Sequence, residues 1–177
     1  MSFTPPLILS LKLDDHTFTV VDRLRAQYFP PERNFLPAHV TLFHALPGEH
    51  ESAVQQTLAA RASETSSFRV MLPKVRLLGK GVALDIECQP LLNLRRTLVS
   101  EWSEWLGRQD RQPYHPHITV QNKVTPDEAK QLYRTLSSTW QPLIGSATAL
   151  LLWRYVGGPW EFVDEYPFVA TQHAPET

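Results

Sequence analysis

Residues 37–46 read PAHVTLFHAL and residues 115–122 read HPHITVQN. Inside them, His39-Val40-Thr41-Leu42 and His117-Ile118-Thr119-Val120 follow one pattern: histidine, β-branched apolar residue, threonine, apolar residue. Side chains alternate along a strand. His39 and Thr41 therefore share one face, and so do His117 and Thr119. Val40, Leu42, Ile118 and Val120 point the other way, into a core. Each strand then carries an imidazole and a hydroxyl about 7 Å apart, two residues of rise.

The two motifs stand 78 residues apart, and similar elements surround them. Before the first, Leu7, Leu9, Leu11 and Leu13 alternate with Ile8, Ser10 and Lys12 as in a strand. A helix is expected over 15–28, followed by a loop holding Pro30, Pro31 and Pro37. After the strand 39–46 come a polar helix over 49–62 and strand character over 68–78, with a possible break at Pro73. Gly79-Lys80-Gly81 marks a hairpin turn, and 82–88 alternates as a strand. A helix over 90–106 places Leu91, Leu94, Leu98, Trp102 and Trp105 on one apolar stripe. A loop over 107–116 leads to the second motif. Thr125-Pro126-Asp127-Glu128 has the residues of a capping box for a helix burying Ala129, Leu132, Tyr133 and Leu136. Strands over 143–156 and 161–169 flank Gly157-Gly158, and the tail after Thr171 is expected to fray.

Each half thus runs strand, helix, proline-containing loop, HxTx strand, helix, strand. The expected fold is α+β: one domain over 1–177, built as two pseudo-symmetric lobes of antiparallel sheet with helices outside. The halves are about 6–79 and 80–170, with an active-site cleft between them.

The chain has 177 residues, 42% of them hydrophobic, and a formal net charge of −1. That is enough apolar material for a core, and it supplies no bulk attraction to nucleic acid or anionic membrane. Cys88 is the only cysteine, so an intrachain disulfide and a cysteine-rich zinc site are excluded. No apolar run reaches the roughly 18 residues of a membrane span, and the N-terminal stretch lacks the basic region of a signal peptide. A cytoplasmic monomer without an obligate protein partner is expected.

Two imidazoles and two hydroxyls facing each other suit the opening of a phosphodiester. A neutral histidine takes a proton from water and a protonated one gives a proton to the leaving sugar oxygen. The hydroxyls of Thr41 and Thr119 donate to non-bridging oxygens as charge builds. The symmetry of the motifs leaves open which histidine is acid and which base.

Paired HxTx motifs of this kind resemble the 2H phosphoesterase superfamily. HVTLFHALPG and PYHPHITVQN look most like its bacterial 2′-5′ RNA ligase and cyclic phosphodiesterase members. The resemblance implies metal-independent cleavage of 2′,3′-cyclic phosphates of nucleotides or RNA ends, without cofactor. The reverse 2′-5′ ligation is possible at the same site. Carried over residue by residue, the catalytic set is His39, Thr41, His117 and Thr119. Relatives often place arginine three residues after the second threonine. Here that position is Asn122, and its counterpart is His44, which points toward small cyclic phosphoesters. An ADP-ribose or sugar cyclic phosphate, or a nucleotide-binding module without turnover, are the alternatives.

Further contacts follow from strand faces. Phe43 and Gln121 continue the His/Thr faces and are candidates for the sugar or base. Lys12 is a candidate phosphate contact, and Trp153 and Tyr155, on one face of a late strand, are candidates for base stacking. His44 falls on the opposite face from His39 and reads as a surface or core-edge residue. His115 reads as a solvated loop residue. A zinc site from His39, His44, His115 and His117 lacks the HExxH spacing and any cysteine ligand, so no metal is expected.

Overall fold

The computed structural model describes residues 4–171, with α-helices and antiparallel sheets in an α+β arrangement. The strands are β1 (Leu7–Leu13), β2 (Val40–Leu46), β3 (Phe68–Leu72), β4 (Val75–Leu77), β5 (Val82–Asp85), β6 (His117–Gln121), β7 (Leu143–Tyr155) and β8 (Trp160–Pro167). The helices are α1 (Asp15–Tyr28), α2 (Glu51–Ser63), α3 (Gln89–Glu101) and α4 (Pro126–Thr139). None of the described helices is long and apolar enough to cross a membrane.

A five-stranded sheet runs β2-β1-β7-β3, with β8 also paired to β7, and a three-stranded sheet runs β4-β5-β6. The long strand β7 supports two neighbours on one edge: its start pairs with β3 and its end with β8. One continuous apolar cluster takes residues from both sheets, including Leu9, Val40 and Leu152 from the first and Leu84 and Ile118 from the second. Helix α1 lies against β6 and β7, α2 against β7 and β8, and α4 against β4 and β5.

The sheets do not divide the chain at residue 79. Strands β7 and β8, from the second half of the sequence, join β1 and β2, whereas β4, from the first half, joins β5 and β6. The break at Pro73 is what separates them. Proline has no N–H for a ladder, and the chain leaves β3 on one sheet and enters β4 on the other. A bridge between Met71 and Glu87 ties the sheets at that point, with N···O distances of 2.8 and 3.2 Å.

Local signals explain most boundaries. Asp14 caps α1 by accepting from Thr17 N at 2.9 Å. Thr125 and Glu128 form the full capping box of α4. The β4–β5 hairpin closes through Leu78 N to Gly81 O at 2.8 Å, with Gly79 at φ +80°. That left-handed conformation favours glycine. Gly81 is needed for a different reason: a Cβ there would meet Gln121 O at 2.0 Å. Helix α3 ends at Glu101, so Trp102 is its buried C-cap and Trp105 lies beyond it in a turn. Trp105 stacks on His50 at 4.3 Å and is not part of the helical stripe.

Candidate functional site

His39 sits just ahead of β2 and His117 opens β6. Both rings are held the same way. His39 Nδ1 lies 2.8 Å from Pro37 O, and His117 Nδ1 lies 2.8 Å from His115 O. A carbonyl only accepts, so each Nδ1 carries the proton and donates it. In the neutral rings Nε2 is then the basic nitrogen, and neither Nε2 has a protein partner among the described residues. In each motif the carbonyl comes from the residue two before the histidine, in the proline-containing loop that precedes the strand.

Both motifs also contain the same irregularity. In the β1–β2 pair, Ser10 faces Thr41 but Leu9 faces Phe43, so β2 carries an extra residue just after Thr41. In the β5–β6 pair, Ala83 faces Thr119 but Val82 faces Gln121, so β6 carries an extra residue just after Thr119. A bulge of this kind breaks the alternation of faces. Thr41 and Thr119 stay half-buried on the His side. Phe43 and Gln121, expected to continue that side, turn inward instead. Phe43 is fully buried, edge-on to Trp102 with ring centroids 5.2 Å apart. Gln121 is buried as well, beside fully buried Val82. Both expected substrate contacts are therefore corrected to core residues.

The remaining candidates are placed as follows. A cavity of about 400 Å3 opens beside His39 and is lined by Lys12, Phe18, Phe35, Pro37, Trp153 and Trp160, among others. Trp160 lies 4.7 Å from the His39 ring and 6.1 Å from Trp153, centroid to centroid. Trp153 Nε1 donates to Ser10 Oγ at 2.8 Å, which fixes the indole. Lys12 reaches the cavity but its ammonium is bonded to Glu165. Tyr155 is exposed near the β7–β8 turn and does not line the cavity. Tyr155 is thereby corrected, and Trp160 is the aromatic ring that lies beside Trp153 in this cavity, a placement that alternation along β7 alone did not reveal. On the other side, His115 lines a more open cavity of about 680 Å3 with Lys74, Arg76, Asp85 and Tyr114. Among the described residues no cluster of three His, Cys, Asp or Glu side chains is placed to hold a metal ion.

Two buried arginines brace the motifs, Arg25 on the buried face of α1 and Arg95 beside the leucine stripe of α3. Thr17, Val21 and Arg25 recur every four residues on the buried face of α1. Arg25 donates from Nε to Asn34 Oδ1 (2.9 Å) and Leu36 O (3.0 Å), and from Nη1 to Thr119 O (2.9 Å). It thus ties the loop before His39 to the strand of His117. Arg95 stands among Leu91, Leu94 and Leu98 on α3. It donates to Leu42 O at 2.9 Å and Asp110 O at 2.7 Å, and packs over the rings of Phe43 and Tyr114. Tyr114 donates to Thr41 O at 2.9 Å. Asp110 accepts from the backbone N–H of His44 (2.8 Å) and Ala45 (3.0 Å), and its carboxylate lies 3.1 Å from His44 Nδ1. The His44 side chain is 46% exposed, on a stretch of β2 where the bulge after Thr41 has broken the alternation that set it on the face opposite His39. Sequence reasoning passed over both arginines; for Arg95 the available signal was an arginine among the leucines of the α3 stripe, and for Arg25 there was none of that kind.

Burial lowers the affinity of both motif imidazoles for a proton. His39 is pushed down to about 4, chiefly by desolvation, with the charges of Arg25 and His117 adding to it. His117 is also lowered by desolvation, and Arg76 adds to this while Asp85 opposes it.

Solved structures share this architecture. TT0787 of Thermus thermophilus superposes with a TM-score of 0.68 at 16% identity, over 95% of this chain and 100% of that one. The E. coli LigT complex with 3′-AMP gives 0.63 at 20% identity, over 93% and 98%. Kluyveromyces marxianus Usb1 gives 0.50 at 16% identity, over 92% and 97%. At these identities the likeness establishes the fold. A comparison with curated protein sequences gives no match. The family model of the 2′-5′ RNA ligase superfamily matches residues 13–159. With paired HxTx strands, matched histidine tethers and this shared fold, the chain belongs to the 2′-5′ RNA ligase superfamily.

Proposed function

We propose that the protein opens cyclic phosphodiesters, in particular 2′,3′-cyclic phosphates of nucleotides or RNA ends, with His39 and His117 as the acid–base pair. The observation that carries this reading is the paired tether: each Nδ1–H is spent on a carbonyl, and each Nε2 is left free for proton transfer. Water attacks phosphorus as one Nε2 takes its proton. One phosphorus–oxygen bond of the ring breaks, and the other imidazolium protonates the departing ribose oxygen. The product is a phosphate monoester. Thr41 and Thr119 donate to the non-bridging oxygens as charge accumulates. Positioned acid–base groups contribute roughly 10²–10⁴-fold each, so two of them carry much of the rate.

The cavity beside His39 suits an aromatic base. Its mostly apolar lining includes Trp153, Trp160 and Phe35, and its one lysine is already paired. E. coli LigT has been crystallised with 3′-AMP, ATP and NADP+, which supports a nucleotide substrate. The NADP+ complex also favours a second reading, a cyclic phosphate on a larger dinucleotide-like or ADP-ribose ester. The same site run backwards joins a cyclic phosphate to a 5′-hydroxyl.

The test is hydrolysis of the four nucleoside 2′,3′-cyclic phosphates in excess EDTA by the wild type, His39→Ala and His117→Ala. Turnover that survives EDTA and falls at least roughly a hundredfold in each variant is the expected result. Undiminished turnover in either variant rules out the two-histidine mechanism. Absence of turnover on all four directs attention to RNA ends and the larger esters.

A further inference from the structure

Neither motif stretch carries a lysine or arginine: the positions three beyond Thr41 and Thr119 are His44 and Asn122. The cleft still needs positive charge to hold a phosphodiester. The other cations near it are committed. Arg25 and Arg95 are buried and bonded mainly to backbone carbonyls, and Lys12 is bonded to Glu165.

The register of the three-stranded sheet brings another cation to the His117 face. Arg76 pairs with Ala83, and Ala83 pairs with Thr119, so the three form one row across β4, β5 and β6. Residues directly opposite in a row share a face. In the neighbouring row Asp85 pairs with His117. Two strand spacings separate Arg76 from Thr119, about 10 Å between backbones, and only the methyl of Ala83 stands between them. An extended arginine spans most of that gap. Asp85 accepts from Arg76 Nε, which holds the guanidinium beside the His117 row. Its Nη groups have no protein partner among the described residues. Arg76 is half-buried, and its charge reaches His117 strongly enough to lower that ring's proton affinity. Lys74 Nζ, 4.0 Å from Asp85 Oδ2, offsets the carboxylate.

We propose that Arg76 is the phosphate-binding cation of this cleft, donating from its Nη groups to the non-bridging oxygens of a phosphate seated beside His117 and Thr119. This rests on the proposed cyclic phosphodiesterase reading and adds the residue that stands in for a basic group in the motif. A guanidinium fork matches two oxygens of one phosphate, and Asp85 orients it by taking only Nε. Arg76 contacts substrate and does not transfer the proton, so its removal acts mainly on binding.

The test is calorimetric titration of the full chain with inorganic phosphate, alongside kinetics on the nucleoside cyclic phosphates. Wild type, Arg76→Ala, Arg76→Lys and the double variant Arg76→Ala/Asp85→Asn are compared, each checked for an unchanged melting transition. Arg76→Ala is expected to weaken phosphate binding and raise KM at least tenfold, with a smaller change in kcat, and Arg76→Lys recovers part of the binding. The double variant stays weak, because the lost donor and not an unmasked Asp85 is responsible. Phosphate binding within twofold of wild type in Arg76→Ala overturns the proposal, as does full recovery in the double variant. So does a wild type that binds no phosphate at tens of millimolar. Arg76-dependent phosphate binding without turnover of the nucleoside cyclic phosphates upholds Arg76 and sinks the simple-nucleotide substrate. Turnover with Arg76-independent binding does the reverse.

Discussion

Replacing Arg25 with methionine keeps most of the side-chain stem and removes the guanidinium. Arg25 is only 5% exposed. Its Nε–H is shared between Asn34 Oδ1 and Leu36 O, and Nη1 donates to Thr119 O. Counting the shared hydrogen once, two charge-assisted bonds at about 1.5–3 kcal/mol each are lost. The guanidinium also lies 4.1 Å from the Phe29 ring centroid, worth about 1 kcal/mol. The gross loss is roughly 4–7 kcal/mol. Relief from burying a charge, several kcal/mol, returns part of it. The expected net destabilisation is about 3 kcal/mol, read as a shift in the urea midpoint with unchanged slope. The same bonds tie the segment three residues before His39 to the strand of His117. A displacement of about 1 Å between reacting groups costs roughly a hundredfold in rate, so kcat per folded molecule is expected to fall by more than tenfold. A variant within about 0.5 kcal/mol of wild type refutes the bracing argument. A destabilised variant with wild-type kcat shows that Arg25 braces the core without aligning the histidines.

Burial holds both free imidazoles below their ordinary 6.5, with His39 at about 4. Because the pair needs one neutral and one protonated ring, kcat/KM should peak between those values, and a flat profile from pH 7 to 8.5 contradicts it. The fold favours neutral His39, so this contribution to stability is full above pH 6.5 and fades as pH falls toward 4; His39→Gln should flatten that decline in acid melts. Asp110→Ala leaves the N–H groups of His44 and Ala45 without their acceptor and should cost about 3 kcal/mol in chemical denaturation; a loss under about 1 kcal/mol would show that water replaces the carboxylate. Trp160→Ala removes the ring beside His39 and should raise KM for nucleoside cyclic phosphates roughly tenfold with little change in kcat; an unchanged KM would remove Trp160 from the base site.

Alternation and capping carried far as guides to this chain. The repeated HxTx pattern marked His39, Thr41, His117 and Thr119, and the leucine alternation of β1, the helix α1 and the capping box at Thr125 all stand where local patterning put them. Local signals of this kind depend on neighbours within a few residues, so they are written in the sequence itself. Phe43 and Gln121 failed because a bulge after each threonine reverses faces, and a bulge is set by the partner strand. Trp160 meets His39, and Arg76 meets the Thr119 row, through pairings between segments distant in sequence. Chain halves suggested two lobes cut at residue 79, yet β7 and β8 return to the sheet of β1 and β2. Residue types alone determined which short segments carry the paired histidines and threonines and to which family's motifs they correspond. Tertiary structure decided which sheet each strand joined, which arginines were buried as braces and which aromatic ring faces the histidine, because register and burial are properties of paired elements and not of any one segment.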